Sequence, residues 1–187
     1  IGNGDLGAMA WTPPGNIFFQ INKTNTWDDA PEGLFSPWED SGNPEKSEQF
    51  TSLRSCGQLS INPGLPVMDW MYLNDFEGRL SLFDGQASWH ARGPQGEVIC
   101  RSFIAKDPSV MVVHYQDNLS EAVDRQVILA RWGSRVFEHW YRFIRRDFLM
   151  GNDSTVSGCE GDETWIEQST RSIRFAMAAK LVGTDAE

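Results

Sequence analysis

The chain has 187 residues, 40% of them hydrophobic and 12% aromatic, and a formal net charge of −10. This composition is typical of a folded globular protein and argues against intrinsic disorder. The negative charge repels phosphate backbones and anionic lipid, so we expect no nucleic-acid partner and no membrane partner. No apolar run approaches the roughly 20 residues that a membrane-spanning helix needs.

Short apolar runs separated by turn signals dominate the chain from its start. A glycine-rich opening precedes the first strand, and an acidic Pro/Gly/Ser-rich stretch at 28–49 predicts a long loop. Hairpin or turn signals follow at 93–96 and 107–109. The predicted strands, in chain order, are 16–21, 58–62, 79–92, 97–105, 110–115 and 123–129.

The run at 97–105 alternates most clearly. Val98, Cys100 and Ser102 are expected to face opposite to their intervening neighbours, because side chains along a strand point alternately to the two faces. Cys100 is therefore interpreted as a small buried hydrophobic residue. No CxxC pair exists among the three cysteines, which argues against a zinc ribbon.

Two later segments allow more than one interpretation. Apolar residues recur at helical spacing over 134–146, which predicts a short helix, with an irregular loop as the alternative. The run at 173–182 predicts a strand, although its alanines at 176, 178 and 179 also allow a helix. Many short strands and few helices favour one mainly β domain over residues 1–187, an antiparallel β-sandwich with one short helix.

The sequence offers little for catalysis or metal binding. The three histidines, His90, His114 and His139, have no second ligand at a spacing such as HxH or HExxH, so no metal site is predicted. The opening Gly2–Gly7 matches GxGxxG, but no strand–turn–helix context accompanies it. No cofactor and no catalytic residue are predicted, since none of the carboxylates can be paired from sequence.

The eight tryptophans carry more information. A flat aromatic ring can stack on the apolar face of a sugar while polar neighbours bind the hydroxyls. Trp27 and Trp38 have such polar neighbours, and for Trp27 a sugar contact and a core position remain equally open. Trp70, Trp132 and Trp140 have apolar neighbours and are predicted to lie in the core.

Four sequence blocks resemble the N-terminal region of glycoside hydrolase family 95, and more closely a related bacterial family known as domain of unknown function 5703. The acidic stretch at 28–49 departs from that family's pattern. The blocks, in chain order, are Gly2-Asn3-Gly4-Asp5, Lys23-Thr24-Asn25-Thr26-Trp27-Asp28, Gly57-Gln58-Leu59-Ser60-Ile61 and the stretch 131–141.

The resemblance implies a β-supersandwich that packs on an (α/α)6 barrel, which supplies the catalytic acid and base and is absent from this chain. The chain is then expected to be the N-terminal part of a larger glycosidase-like protein. The opening turn and the tip of the first hairpin are implied to face the substrate. The candidate substrate-binding residues are Asn3, Asp5, Asn22, Lys23, Trp27 and Asp28.

Three functions remain open at this point. The first is a scaffold and substrate-contacting domain of a secreted or periplasmic glycoside hydrolase-like protein, with carbohydrate and the barrel as its partners. The second is a stand-alone carbohydrate-binding module without catalysis. The third is a structural β-sandwich with no affinity for sugars.

Overall fold

The structure is a computed structural model that describes residues 1–12, 15–28, 52–131, 135–141, 144–150, 154–169 and 173–183. These residues form strands and no helix, and every strand pairing is antiparallel. The predicted mainly β, antiparallel fold is therefore confirmed. The predicted long loop at 28–49 lies outside the described residues, apart from Asp28.

Fifteen strands are present in the described part of the chain. They are β1 (Leu6–Trp11), β2 (Ile17–Lys23), β3 (Trp27–Asp28), β4 (Ser52–Leu53), β5 (Gly57–Asn62), β6 (Asp75–Ser81), β7 (Gln86–Gly93), β8 (Gly96–Ala105), β9 (Val110–Leu119), β10 (Gln126–Ala130), β11 (Arg135–Tyr141), β12 (Ile144–Met150), β13 (Ser154–Glu160), β14 (Glu163–Ser169) and β15 (Arg174–Lys180).

The chain divides into two compact units. The first comprises residues 1–24 and 57–130, and the second comprises residues 25–56 and 131–187. Compact units of this kind are not by themselves separate domains, so the expectation of one domain over residues 1–187 stays a prediction.

The first unit is a sandwich of two four-stranded sheets, with strand orders β1-β2-β5-β10 and β6-β7-β8-β9. Phe19 of the first sheet meets Trp89 of the second edge-to-face, with ring centroids 5.8 Å apart. This is a favoured aromatic geometry. Further apolar side chains of both sheets are buried, among them Ile17, Leu59, Ile61, Ala87, Ala91, Val98 and Cys100. The core of this unit therefore consists of the alternate, inward-facing residues of the two sheets.

Most predicted strands of the first unit are present. The runs at 16–21, 58–62, 97–105, 110–115 and 123–129 correspond to β2, β5, β8, β9 and β10, with ends that differ by a few residues. Val98, Cys100 and Ser102 are buried while Arg101 and Phe103 are exposed, as the alternation predicts. The interpretation of Cys100 as a buried residue is confirmed.

The single strand predicted at 79–92 is wrong, because the chain reverses in its middle. β6 ends at Ser81 and β7 begins at Gln86. Ser81 and Asp84 close the turn through a side-chain hydrogen bond of 2.8 Å, and Gly85 has a positive φ of 63°. In the sequence, Leu82 and Phe83 continue the strand-like pattern of apolar residues. Both nevertheless lie in the turn and are almost fully exposed.

The helix predicted at 134–146 is also wrong, and so is the irregular loop that was its alternative. β11 and β12 form a hairpin there, in register from Arg135 opposite Met150 to Tyr141 opposite Ile144. The segment is rich in aromatic and β-branched residues, which fit a pleated surface better than a helix. Apolar residues at helical spacing can also arise where two short strands follow each other, so the period alone is ambiguous.

The second unit contains the pair β3-β4, the hairpin β11-β12 and a three-stranded sheet with the order β13-β14-β15. β15 confirms the strand interpretation of 173–182 over its helical alternative. One face of the three-stranded sheet is buried through Ile166, Gln168 and Met177. The buried amide of Gln168 donates a hydrogen bond of 2.6 Å to the backbone oxygen of Cys56, which satisfies the polar group.

Candidate functional site

The six predicted site residues fall into two groups. Asn3, Asp5, Asn22 and Lys23 belong to the first unit, whereas Trp27 and Asp28 belong to the second.

Asn3 connects the opening turn to the turn between β8 and β9. Its Oδ1 accepts hydrogen bonds from the backbone amides of Asp5 and Leu6, at 2.9 and 2.8 Å. Its Nδ2 donates to the backbone oxygen of Ala105 at 2.6 Å and to Oγ of Ser109 at 3.0 Å. All four bonds are made within the protein, so this amide has little capacity left for a sugar hydroxyl.

Asp5 lies beside Asn3 and pairs with the end of β2. Its carboxylate accepts hydrogen bonds from the Lys23 ammonium and, at 3.2 Å, from the Thr24 hydroxyl. The bond from Lys23, followed by one from the Ser109 hydroxyl, holds the pKa of Asp5 below its ordinary value. Asp5 is therefore the ionised member of an internal ion pair at neutral pH.

Asn22 differs from these neighbours. It lies opposite Gly7 in the β1-β2 ladder, and its half-exposed side chain makes no hydrogen bond to any other described residue. The structure thus brings Asn3, Asp5 and Lys23 together into one polar cluster, which also includes Thr24 and Ser109, and leaves Asn22 outside that cluster.

Trp27 is presented to solvent on an anchored backbone. It pairs with Leu53 in the β3-β4 ladder and is 50% exposed. The preceding residue, Thr26, is buried, and its hydroxyl donates a hydrogen bond of 2.7 Å to the backbone oxygen of Arg54. The Arg54 amide donates back to the Thr26 oxygen at 2.8 Å, so the chain is fixed directly before the exposed ring.

The core position that remained open for Trp27 is excluded by its exposure. The backbone of Asp28 lies in β3 opposite Ser52, but the Asp28 side chain lies outside the described part of the structure.

Of the other tryptophans named from the sequence, only Trp70 has a described side chain, and its position differs from the prediction. Trp70 is 72% exposed, so its predicted core position is wrong. It lies in a turn in which the Tyr72 amide donates to the Asp69 oxygen at 2.9 Å, and this geometry directs the apolar residues outward. Trp38 and Trp132 lie outside the described residues, and for Trp140 only the backbone, in β11, is described.

The sequence offered no reason to single out Trp165, which lies at the middle of β14 opposite Gly158. Its exposed position results from strand pairing. The sequence indicates this exposure only through the alternation of Ile166 and Gln168 with Trp165 and Glu167.

Among the described residues, every carboxyl group with a shifted pKa shifts in the same direction. The pKa is lowered in Asp5 by Lys23, in Glu97 by His90, in Asp117 by Arg125 and in Glu163 by Lys180. A glycosidase acid needs the opposite shift, because it must be protonated when it meets the substrate. These four carboxylates are ion-pair partners and are unsuited to that role.

Other polar and concave features of the first unit do not include the predicted site residues. His90 Nε2 lies 2.5 Å from Glu97 Oε1, and Arg92 flanks the same carboxylate at 3.6 Å. An open groove of about 550 Å³ is lined by residues of β1, β6 and β7, including Trp89. Among the described residues no group of three or more His, Cys, Asp and Glu side chains is arranged to hold a metal ion.

No protein-family model matches this chain, and no curated protein is significantly similar to it. The resemblance of the four sequence blocks therefore stays a hypothesis. In the described part of the chain, no helix is long and apolar enough to cross a membrane.

Proposed function

We propose that this chain is a carbohydrate-contacting β-sandwich region of a secreted or periplasmic glycoside hydrolase-like protein. In this proposal the chain supports and contacts a poly- or oligosaccharide, and an (α/α)6 barrel elsewhere in the protein supplies the catalytic groups. The observation that carries the proposal is the half-exposed ring of Trp27 on a backbone anchored by Thr26 and Arg54.

Preorganisation of the Trp27 ring favours binding. A rigid aromatic ring presents a large apolar face at a low cost in conformational entropy, which favours stacking on a sugar ring. Residues on paired strands hold such a ring more precisely than a free loop does. Thr26, which is buried directly before Trp27, and Leu53, which pairs with Trp27 from β4, provide this rigidity.

The state of the carboxylates agrees with a contacting role. Hydrogen bonds from Lys23, His90, Arg125 and Lys180 favour the ionised form of the four shifted groups, and three of these groups, Asp5, Glu97 and Glu163, lie at the surface. Ionised carboxylates accept hydrogen bonds well but cannot protonate a leaving group. The alternative function is that of a stand-alone carbohydrate-binding module, which the same exposed ring would serve.

Binding by the 187-residue chain tests the proposal. We would measure retardation of the protein in native gels that contain soluble xyloglucan, arabinogalactan or dextran. Trp27→Ala is expected to weaken binding to the retarding polysaccharide about tenfold or more, as truncation of an aromatic anchor does in other interfaces. Trp70→Ala is the matched control, because Trp70 is also exposed but lies in a turn of the first unit.

Three results would argue against the proposal. Equal retardation of the wild type and Trp27→Ala would remove Trp27 from the site. Absence of retardation by every polysaccharide would favour the purely structural function. Retardation that the isolated chain retains in full, relative to a longer protein carrying a barrel, would favour the stand-alone module.

A further inference from the structure

Trp165 lies flat against a glycine on the neighbouring strand. A β-carbon placed on Gly158 would lie 2.1 Å from Cζ2, 2.6 Å from Cε2 and 2.8 Å from Cη2 of the indole. These distances are far below van der Waals contact, so the six-membered ring occupies the space that a side chain at this position would fill. The absence of a side chain at Gly158 lets the ring lie down on the strand.

The ring lies on the exposed face of the three-stranded sheet. Trp165 pairs with Gly158 on β13 and with Ala178 on β15, so small residues flank it on both sides. Ile166 and Met177, which point to the opposite face, are buried. Trp165 itself is 37% exposed, so the ring surface that faces away from Gly158 meets solvent.

Charged pairs border the ring along the strand direction. Glu163 and Glu167 lie two residues before and after Trp165 and share its face, since side chains alternate along β14. Glu163 pairs with Lys180 at 2.7 Å, and Glu167 with Arg174 at 3.8 Å. Both pairs are exposed, and both therefore offer carboxylate acceptors and cationic donors beside the ring.

We infer that Trp165, with Glu163, Lys180, Glu167 and Arg174 around it, forms a sugar-binding subsite on the exposed face of the β13-β14-β15 sheet. The ligand class is a pyranose ring of an oligo- or polysaccharide. Its apolar face stacks on the indole and its hydroxyls bind the flanking ion pairs. This inference rests on the proposed carbohydrate-contacting function and adds to it a second binding position.

A purely structural role for Trp165 makes a different prediction. A ring that only covers a strand glycine stabilises the sheet and needs no exposed acceptors and donors beside it. Such a role predicts that substitutions of the ion pairs leave sugar binding unchanged. The subsite predicts that they weaken it.

The test uses the 187-residue chain and the same gels with soluble xyloglucan, arabinogalactan or dextran. Trp165→Ala is expected to weaken binding at least about tenfold, while Trp165→Phe retains most of it because a flat ring remains. Gly158→Ala is expected to have the effect of Trp165→Ala, since its β-carbon drives the indole off the strand while the indole itself stays in the chain.

Two exposed substitutions keep the test informative if the tryptophan variants unfold. Glu167→Ala and Lys180→Ala lie at the surface and are expected to leave the thermal midpoint nearly unchanged. We expect each to weaken polysaccharide binding about three- to tenfold, as the loss of a hydroxyl contact does. Unchanged binding in both variants would overturn the subsite.

The outcomes separate the inference from the proposed function. If Trp27→Ala weakens binding and Trp165→Ala does not, the subsite is wrong and the proposed function stands. If Trp165→Ala weakens binding and Trp27→Ala does not, the subsite stands and the assignment of Trp27 is wrong. If the wild-type protein binds none of the polysaccharides, both are wrong.

Discussion

The polar cluster of Asn3, Asp5, Lys23, Thr24 and Ser109 and the exposed face around Trp165 contain similar chemistry in different states. In the cluster, hydrogen bonds join an amide, a carboxylate, an ammonium group and hydroxyls to one another and to the backbone. Around Trp165, the ion pairs are open to solvent and border an exposed aromatic ring. The conspicuous sequence motif is thus used for structure, whereas the ion pairs beside Trp165 are more open to solvent than the pair of Lys23 and Asp5.

The difference has a physical cause. A buried or half-buried polar group must find a partner in the protein, and residues that meet several such demands lose the ability to bind a ligand. Groups on the solvated face of a sheet have no such demand, because water satisfies them until a ligand replaces it. Substitutions of bonded and of exposed polar groups test this contrast.

The largest effect on stability is expected for Asn3→Ala. The substitution removes four hydrogen bonds, including those that satisfy the amides of Asp5 and Leu6, so we expect a loss of about 2–3 kcal/mol in the free energy of unfolding. Urea denaturation measures this change. Asn22→Ala is the control and should change the free energy by less than about 0.5 kcal/mol, because the Asn22 side chain bonds no other described residue. Equal effects of the two substitutions would contradict a structural role for Asn3.

A second effect, of about 1–2 kcal/mol, is expected for Asp117→Asn. Arg125 donates two hydrogen bonds to the Asp117 carboxylate, at 2.9 and 2.7 Å, and a third to the Val123 oxygen at 2.6 Å. Hydrogen bonding from Arg125 lowers the pKa of Asp117 below 3.8. Because the pKa is lower in the folded state, the pair stabilises the fold above about pH 4 and ceases to do so as the pH falls through the folded-state pKa.

Urea denaturation of the wild type and Asp117→Asn across pH 7 to pH 2 measures this dependence. The difference in the free energy of unfolding should be full at pH 7 and should shrink below about pH 4. Asp124→Asn, a neighbouring substitution with no ion pair among the described residues, is the control. A difference that stays constant with pH would show that the charge of Asp117 is not its source.

The smallest effect is expected for Lys23→Met. The Lys23 ammonium binds an exposed carboxylate, and an exposed ion pair contributes little to stability because water and salt screen it. We expect a small decrease in the thermal midpoint at low ionic strength that vanishes in about 1 M NaCl. Polysaccharide retardation measured on the same variant tests its candidate role as a substrate-binding residue. A clear loss of binding without a loss of stability would return Lys23 to the site.

Much of the first unit could be predicted from local patterns. The alternation of Val98, Cys100 and Ser102 with exposed neighbours identified both the strand and its buried face, because one face of a sandwich sheet must be apolar. The segments 79–92 and 134–146 were predicted wrongly because each includes parts of two strands that pair with each other. Over 134–146, a window across both strands shows a helical period that neither strand has.

The candidate site shows the same division. The polar neighbours of Trp27 made it a candidate but left a core position equally open, and the structure shows that its ring is exposed. Asn3, Asp5 and Lys23 were also candidates, but the partners of Asn3, Ala105 and Ser109, lie about a hundred residues away, so no local pattern reveals that this amide is already bonded. Trp165 was missed because its setting depends on Gly158 and Ala178 of the neighbouring strands.

Composition and alternation are local properties, so an acidic, globular chain built from short antiparallel strands could be predicted from the sequence. Which polar groups bond within the protein and which stay open to solvent depends on the tertiary structure. Strand register and sheet order set these contacts between residues distant in sequence, such as Asn3 with Ala105. A polar side chain can bind a ligand only through the donors and acceptors that its tertiary contacts leave open.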